Sequence, residues 1–566
     1  MYVSIMFTIK TIKSFRGMII LKRLLIIIIC LSLMIIPCSP ASKAAGAANY
    51  SVKIEPFNDQ FDIMKTSFAR VEDFYEGRAI VAVQSTDPDR PLKYGYINKK
   101  GEIIVPPIYD EAVPFSGGIA WVGNYDFTGG KFKCKGKIID INGKVLRETE
   151  FIPKEGRRFH EGILMAYNPD TVKKTYYITA EGKVIFSSQS MSYPAFAEAN
   201  CSEGLIPVSV VTGWDYTLGI IDKSGKWVAK DLEKIGEENF KFGGRIRQIG
   251  EYHEGLARFR TTSKEWGYLD RNGNVVVSGF DWLSDFYNGF AIAGEDVFEE
   301  GKVGSIRKHG IIDKNFKWVI EPKYLAVTLG DGAVSVAIER DFSNIDKSKI
   351  DRNAVGAWTY GLLDMNGNII VPFNKYNTIY ASSEGYFLFS RGLYPGEIKS
   401  GYMDAKGNEV FIFDSPGISV VTGNGFQEGM LAIYIGETCG YLMKRDSSSP
   451  VRIKLDGEFI NLPVDPVSEN GYTLVPFRAL FESFGATVDW DGTTKTVTGT
   501  KGETKIILKQ DSKVAIVNGK YKTLPVPVKA INGVTFVPVR FVAESLGIKV
   551  EWDGTNRIVK LTSQQN

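Results

Sequence analysis

Between about residue 74 and residue 443 the chain runs in short apolar stretches, broken every few positions by glycine beside an acid or an amide. The apolar positions alternate or stand in β-branched blocks and show no 3.6-residue period, so the region predicts strands and turns. One phrase recurs: Gly95-Tyr-Ile-Asn98 with Gly101, Lys137-Ile-Ile-Asp140 with Gly143, Tyr176-Tyr-Ile-Thr179 with Gly182, and Gly219-Ile-Ile-Asp222 with Gly225. It continues as Gly267-Tyr-Leu-Asp270 with Gly273, Gly310-Ile-Ile-Asp313, Gly361-Leu-Leu-Asp364 with Gly367, and Gly401-Tyr-Met-Asp404 with Gly407, and Gly440-Tyr-Leu-Met443 opens a ninth copy. Successive copies start 39 to 51 residues apart. A strand that ends at Asp or Asn can fold that side chain onto its own backbone, and a glycine three residues later supplies the positive φ of the reversal.

A β-branched strand follows each turn, as at Ile103-Ile-Val105 or Val275-Val-Val277. A second phrase, an aromatic residue, a variable one, an acid or amide and glycine, then introduces an alternating strand. Phe74-Tyr-Glu-Gly77, Phe159-His-Glu-Gly162, Tyr252-His-Glu-Gly255, Phe286-Tyr-Asn-Gly289 and Phe426-Gln-Glu-Gly429 are examples. The acids Glu76, Glu161, Glu254 and Glu428 recur by pattern, whereas a catalytic acid should be singular, so they are read as turn formers. An all-β unit of this size cannot bury its own face and must stack on its neighbours, in a closed propeller of about eight blades or an open, curved β-solenoid. The array starts and stops in mid-repeat. The half-units at 74–83 and 439–443 are therefore expected to complete one another and close a ring.

The Trp266-Gly267 and Tyr-Gly openings, the Asp-x-x-Gly turn and the aromatic-x-Glu-Gly phrase resemble the WG β-repeat family of bacterial proteins. Lys137 and Tyr176 depart from it by replacing the first glycine. The resemblance implies a repeat architecture and brings no general activity with it.

After Ser447-Ser-Ser-Pro450, which reads as a linker, two segments align without a gap at an offset of 62: over twenty positions from Leu474 and from Phe536, eleven are identical. Phe477, Leu480, Phe481 and Phe484 form one stripe of a short helix, and Val539, Val542, Ala543 and Leu546 repeat it. Pro476 and Pro538 open these helices and Gly485 and Gly547 close them. Strands are expected at 452–455, 487–490, 513–517 and 549–552. The paired Val-Pro-x-Arg and Trp-Asp-Gly signatures resemble the copper amine oxidase N-terminal-like domain. That resemblance implies an accessory, stalk-type α+β unit of exported Gram-positive proteins that stands apart from the copper centre. Trp490 and Trp552 are read as structural.

The fold class is thus mainly β: a repeat array over 45–446 (propeller-like ring or open β-solenoid), a linker at 447–450, and a small duplicated α+β domain over 451–566. Hydrophobic residues at 44% and aromatics at 12% supply large cores, and no block of like charge appears, which excludes a disordered chain. Lys22 and Arg23 precede a thirteen-residue apolar run, Leu24 to Ile36, closed by Pro37 and followed by small residues, so residues 1–44 are expected to be a signal peptide. The run is short for a membrane span; if it were retained, the protein would be membrane-tethered. Six of the 68 basic residues and none of the 65 acidic ones lie in 1–44, so the remainder is slightly acidic and nucleic acid is not an expected partner. Beyond Cys30 and Cys38 in the leader region, Cys134, Cys201 and Cys439 are odd in number and widely spaced, which argues against a disulfide framework.

Asn124-Tyr125-Asp126 matches a copper-quinone tripeptide, yet His160, His253 and His309 are the only histidines and none forms a His-x-His pair. His160 and His253 fill the variable slot of the second phrase and are read as surface turn residues. Asp489-Trp-Asp491-Gly492 starts like a calcium loop, but Thr493, Thr494, Lys495 and Thr496 follow where carboxylates should. No catalytic residue, cofactor or metal is assigned. Trp227 and Trp318 stand on strands and are expected in cores. Trp214, Trp282 and Trp358 fall off the repeat pattern and are the candidates for stacking on a ligand. The expected function is that of an exported, non-catalytic surface or wall protein, its partner a cell-wall polymer or another surface protein. A secreted propeller enzyme acting on polysaccharide and a membrane-tethered sensor are the alternatives.

Overall fold

The computed structural model describes residues 50–563, except 127–132, 155–156, 172–173, 190–198, 213–214, 236–239, 242, 301–303, 342–356, 393–397, 414–417 and 421–424. The signal segment with Cys30 and Cys38, together with Trp214, lies outside the described residues. No helix among the described residues is long and apolar enough to cross a membrane.

Each repeat forms one antiparallel sheet, a blade, and chain order is also spatial order within it. Blade 1 comprises Arg70–Tyr75, Arg78–Gln84, Leu92–Asn98 and Ile103–Tyr109. Blades 2 to 8 follow over residues 111–149, 152–189, 205–230, 246–280, 282–324, 326–376 and 378–412, with three described strands in blade 4 and four in the others. The turn between third and fourth strands is the one the sequence predicts. Asp270 Oδ1 accepts the amides of Asn272 at 2.8 Å and Asn274 at 2.9 Å, and Gly273 takes φ +84°. The first glycine of the phrase has a separate cause. A Cβ at Gly95, Gly267 or Gly310 would lie 2.2–2.3 Å from a carbonyl oxygen of the fourth strand, where that strand bulges past the third. Lys137 instead pairs in regular register with Glu148, and Tyr176 with Ser187.

Apolar side chains fill the seams between neighbouring blades rather than one common core. Tyr96, Val105 and Phe115 join blades 1 and 2, Trp121, Phe159 and Ile178 join blades 2 and 3, and Tyr360, Val371, Phe387 and Phe389 join blades 7 and 8. Trp227 and Trp318, expected in cores, are partly buried and pack edge-on against Phe186 and Phe280 beside the seams.

Among the described residues the array closes into a ring of nine blades, one more than the sequence reading expects, and by a different strand. Residues 74–83 belong wholly to blade 1. The ninth blade takes Ile418–Val420, Met430–Ile435 and Thr438–Lys444 from the end of the array, and its fourth and fifth strands, Phe61–Thr66 and Val52–Pro56, from the beginning. Phe61 pairs with Lys444 and Met64 with Tyr441. Gly440 is the phrase glycine of this blade, and the oxygen that a Cβ there would strike, at 2.1 Å, belongs to Met64. The completing strand escapes a repeat search because Phe61-Asp-Ile-Met-Lys-Thr66 lacks the phrase and is buried on both faces.

The recurrent acids form turns and also latch the blades together. Glu76, Glu161, Glu254 and Glu428 all adopt positive φ, near +50°. The Glu76 carboxylate accepts the amides of Gly117 and Gly118 in blade 2 at 2.6 and 2.8 Å. Glu161 accepts those of Glu203 and Gly204, Glu203 that of Gly255, and Glu254 that of Gly289. Asp331 reaches Gly385 and Glu384 reaches Gly429. Glu428 closes the circle on Gly77 at 2.9 Å, across 351 residues of sequence. Lys99, Arg271 and Lys314 bind the acid of the preceding blade from the turn that follows the third strand. At Glu161 and Glu254 burial raises the carboxyl pKa, but the amides and Lys223 or Lys314 outweigh it and hold both below the ordinary range. A depressed folded-state pKa gives stability that is present above the unfolded value, about 4.3, and lost below it. Thermal melts should therefore show little change from pH 7 to 5 and a falling midpoint as pH drops below about 4.5; a midpoint independent of pH down to pH 3 would contradict the latch.

In the C-terminal module, helices α1 (Phe477–Ser483) and α2 (Val539–Ser545) bury Phe477, Leu480 and Phe481, and Val539, Val542 and Ala543. Gly485 and Gly547 end them at φ +71° and +74°. The copies are related by a pseudo-two-fold axis, because Leu474 pairs with Pro538 and Pro476 with Phe536. The first strand, Arg452–Leu455, runs parallel to the last, Ile558–Thr562, so both ends of the module meet at one sheet. That sheet rests on the ring-closing segment. Arg445, buried like its partner, donates to Asp62 at 2.6 Å and also to the carbonyls of Pro450 and Asn556. Asp59 pairs with Lys454 and Lys560. The serine-rich segment is thereby held at both ends, with Asp446 capping Ser448 and Ser449.

Candidate functional site

The described stacking candidates stand apart. Trp282 lies on the innermost strand of blade 6, half-buried, its ring edge-on to His309 at 5.5 Å. Trp358, 42% exposed, opens the third strand of blade 7.

The first strands of several blades and the segments beside them bring together a titratable cluster that sequence spacing does not reveal. Glu251 of blade 5 accepts the backbone and side-chain amides of Asn200 at 3.0 and 2.9 Å and lies 4.0 Å from Arg157. Asp285 of blade 6 pairs with Arg258 at 3.0 Å and stands 3.9 Å from His253. The Arg158 guanidinium lies 4.3 Å over the ring of Tyr75, which ties blade 3 to blade 1. Burial raises the Asp285 carboxyl pKa despite Arg258 and His253, and burial with Arg158 lowers that of the His160 imidazole. His253 and His160, read from the sequence as surface turn residues, are both half-buried in this cluster, and His253 ends the strand Ile246–His253. Both unrepeated acids, Glu251 and Asp285, are engaged by groups of neighbouring blades and act as pins between them.

Tyr125 hydrogen-bonds Glu111, and burial together with that carboxylate pushes its phenol well above the ordinary range. The three histidines sit on blades 3, 5 and 6, and no group of three potential ligands is gathered as a metal site needs among the described residues. Cys134, Cys201 and Cys439 form no disulfide with one another. The Asp491 carboxylate accepts the amides of Thr493 and Thr494 and the Thr494 hydroxyl, which makes that segment a turn.

The module departs from expectation at its two signature tryptophans. Trp490 and Trp552 are 40% and 48% exposed. Each stands on the strand after its helix, two positions past Val488 or Val550, and the core filled by the helix stripe and the β-branched residues of the sheets does not include it. The repetition of Trp-Asp-Gly and the period-2 alternation, which puts each ring on the face of Val488 or Val550, both suggest a packing role; the rings are nevertheless left half in water. Beside Trp552 lies a groove of about 290 Å³ lined by Tyr472, Thr473 and Ser468 of the first copy and Arg540, Glu551 and Trp552 of the second. Arg540 donates to Glu544 at 3.3 Å and to the Val550 carbonyl at 3.2 Å, which fixes it along the groove wall. Asp553, in the turn after Trp552, is acidified: burial raises its pKa, but hydrogen bonds from Lys560 and Asn556 outweigh it and hold it at about 2.

The repeat-family comparison matches this geometry at four places: 94–125, 266–296, 310–327 and 360–392 fit the model of the WG containing repeat, and 454–561 fit that of the copper amine oxidase N-terminal domain. The chain carries WG repeats and a copper amine oxidase N-terminal domain. The matched WG segments fall in blades 1–2, 5–6, 6–7 and 7–8, and the intervening blades have the same order of strands and turns. No curated protein matches the chain significantly. Among solved structures it is similar to BamB from Moraxella catarrhalis (9% identity, 70% of this chain and 98% of that one, TM-score 0.28). It is also similar to the Dos1 propeller (13%, 69% and 95%, 0.30) and to Sqt1 from Chaetomium thermophilum (9%, 58% and 93%, 0.27). At these scores the likeness bears on neither partner nor activity. The matched families are repeat and stalk-type units rather than catalytic domains, which fits, at a coarse level, a non-catalytic interaction protein.

Proposed function

We propose that this is an exported binding protein of the cell surface or wall, in which the WG ring presents an interaction surface and the C-terminal module provides attachment to a wall polymer. The observation that carries the reading is the repeated exposure of Trp490 and Trp552 at equivalent positions of the tandem copies. Large aromatic rings left half in water on an otherwise well-filled module are suited to stacking on a partner. The latched ring supports the same reading, since its repeated acids are engaged in holding blades together.

The test is co-sedimentation of the full chain with purified Gram-positive walls. The wild-type protein should pellet, and the Trp490→Ala, Trp552→Ala double variant should stay in solution while keeping its melting temperature within a few degrees. Equal pelleting of both proteins would remove the module from the attachment role. Release of reducing sugar from the walls would favour the polysaccharide-acting enzyme instead.

A further inference from the structure

We infer that the groove between Tyr472 and Trp552 is a binding site for one uncharged pyranose ring of a surface polysaccharide; the inference rests on the attachment role proposed for the module and names its ligand. Two aromatic side chains, 41% and 48% exposed, line the same groove from different copies of the duplication. Aromatic faces offer an apolar, polarisable surface to the C–H face of a sugar, while the Ser468 and Thr473 hydroxyls and the Arg540 guanidinium meet its hydroxyls along the rim. The volume, about 290 Å³, lies at the lower end of ligand pockets and suits a single ring.

Charge decides between ligand classes. The lining holds one cation, Arg540, and one anion, Glu551, and each already has an opposite partner, Glu544 at 3.3 Å and Lys549 at 2.5 Å. The groove therefore presents no uncompensated charge to an ion. A quaternary ammonium group, the other ligand that stacks on aromatic rings, would meet the guanidinium and is disfavoured.

The duplication supplies an internal control. The pseudo-two-fold that places Tyr472 opposite Trp552 places its counterpart at the offset of 62, Val534, opposite Trp490. One copy thus has both aromatic walls and the other has one, so the site is single.

Calorimetric titration of the full chain with N-acetylchitotetraose and cellotetraose tests this. At least one should bind with a stoichiometry of one, Trp552→Ala and Tyr472→Ala should each weaken it by about tenfold, and Tyr521→Ala, an exposed aromatic of the module outside the groove, should leave it within about twofold. Val534→Tyr should add a second, weaker site. Binding of neither sugar, equal loss from Tyr521→Ala and Trp552→Ala, or competition by phosphocholine would overturn the assignment. Melting curves of each variant separate lost binding from lost folding. Wall co-sedimentation of the same proteins separates the two levels. Pelleting without oligosaccharide binding leaves the attachment role and removes this site. Oligosaccharide binding through Trp552 without pelleting keeps the site and removes the attachment role.

Discussion

Replacing Gly440 with valine should open the ring. The new Cβ would meet the Met64 carbonyl oxygen at 2.1 Å, and because that atom is backbone, the strand Phe61–Thr66 has to move as a whole. With it go Phe61, Ile63 and Met64, which are 0–5% exposed in the seams on both sides of blade 9. Truncating Phe61 alone should cost about 3–5 kcal/mol, and the glycine variant at least as much. Because every blade is stabilised mainly by its neighbours, opening one seam should lower the melting temperature of the whole array. A loss confined to residues 418–444, read by limited proteolysis, would mean instead that the blades do not depend on closure.

The second large effect is expected at Asp62 and Arg445. Their side chains are 4% and 0% exposed and 2.6 Å apart, and Arg445 also holds the carbonyls of Pro450 and Asn556. Asp62→Ala leaves a buried guanidinium without its main counter-charge and should destabilise by about 3–5 kcal/mol. The double variant Asp62→Leu, Arg445→Met removes both charges and should recover much of that loss, because the desolvation penalty disappears with them. In the double variant the segment 446–450 should become sensitive to protease, since Arg445 no longer holds the carbonyls of Pro450 and Asn556. If Asp62→Ala melts like the wild type, the module does not rest on the closing strand.

The repeat phrases make the strands, the turns and the stacking of like units legible in the sequence, because each rests on local chemistry. Asp270 caps its own turn, Gly273 takes the positive φ, and the bulge of the fourth strand forces the first glycine. The helices of the module are equally local, with stripe, proline and glycine all in place. What escaped is what depends on distance across the fold. Phe61–Thr66 carries no phrase, and its role comes from a pairing with residues about 380 positions later. The second duty of Glu428, toward Gly77, is hidden by its first, as a turn residue. Tyr472 has no motif, and it meets Trp552 only because the two copies pair about an axis. A period-2 reading of Lys549–Asp553 puts Trp552 on the face of the buried Val550 and so predicts it inside; its exposure depends on where the core ends, which no local pattern shows.

Hydrogen–deuterium exchange of the full chain tests the closed ring most directly. The amides of residues 61–66 should be protected as strongly as those of 438–444, because the two strands share one ladder. Rapid exchange throughout 61–66, with 438–444 still paired to 430–435 and protected, would contradict closure by the N-terminal strand.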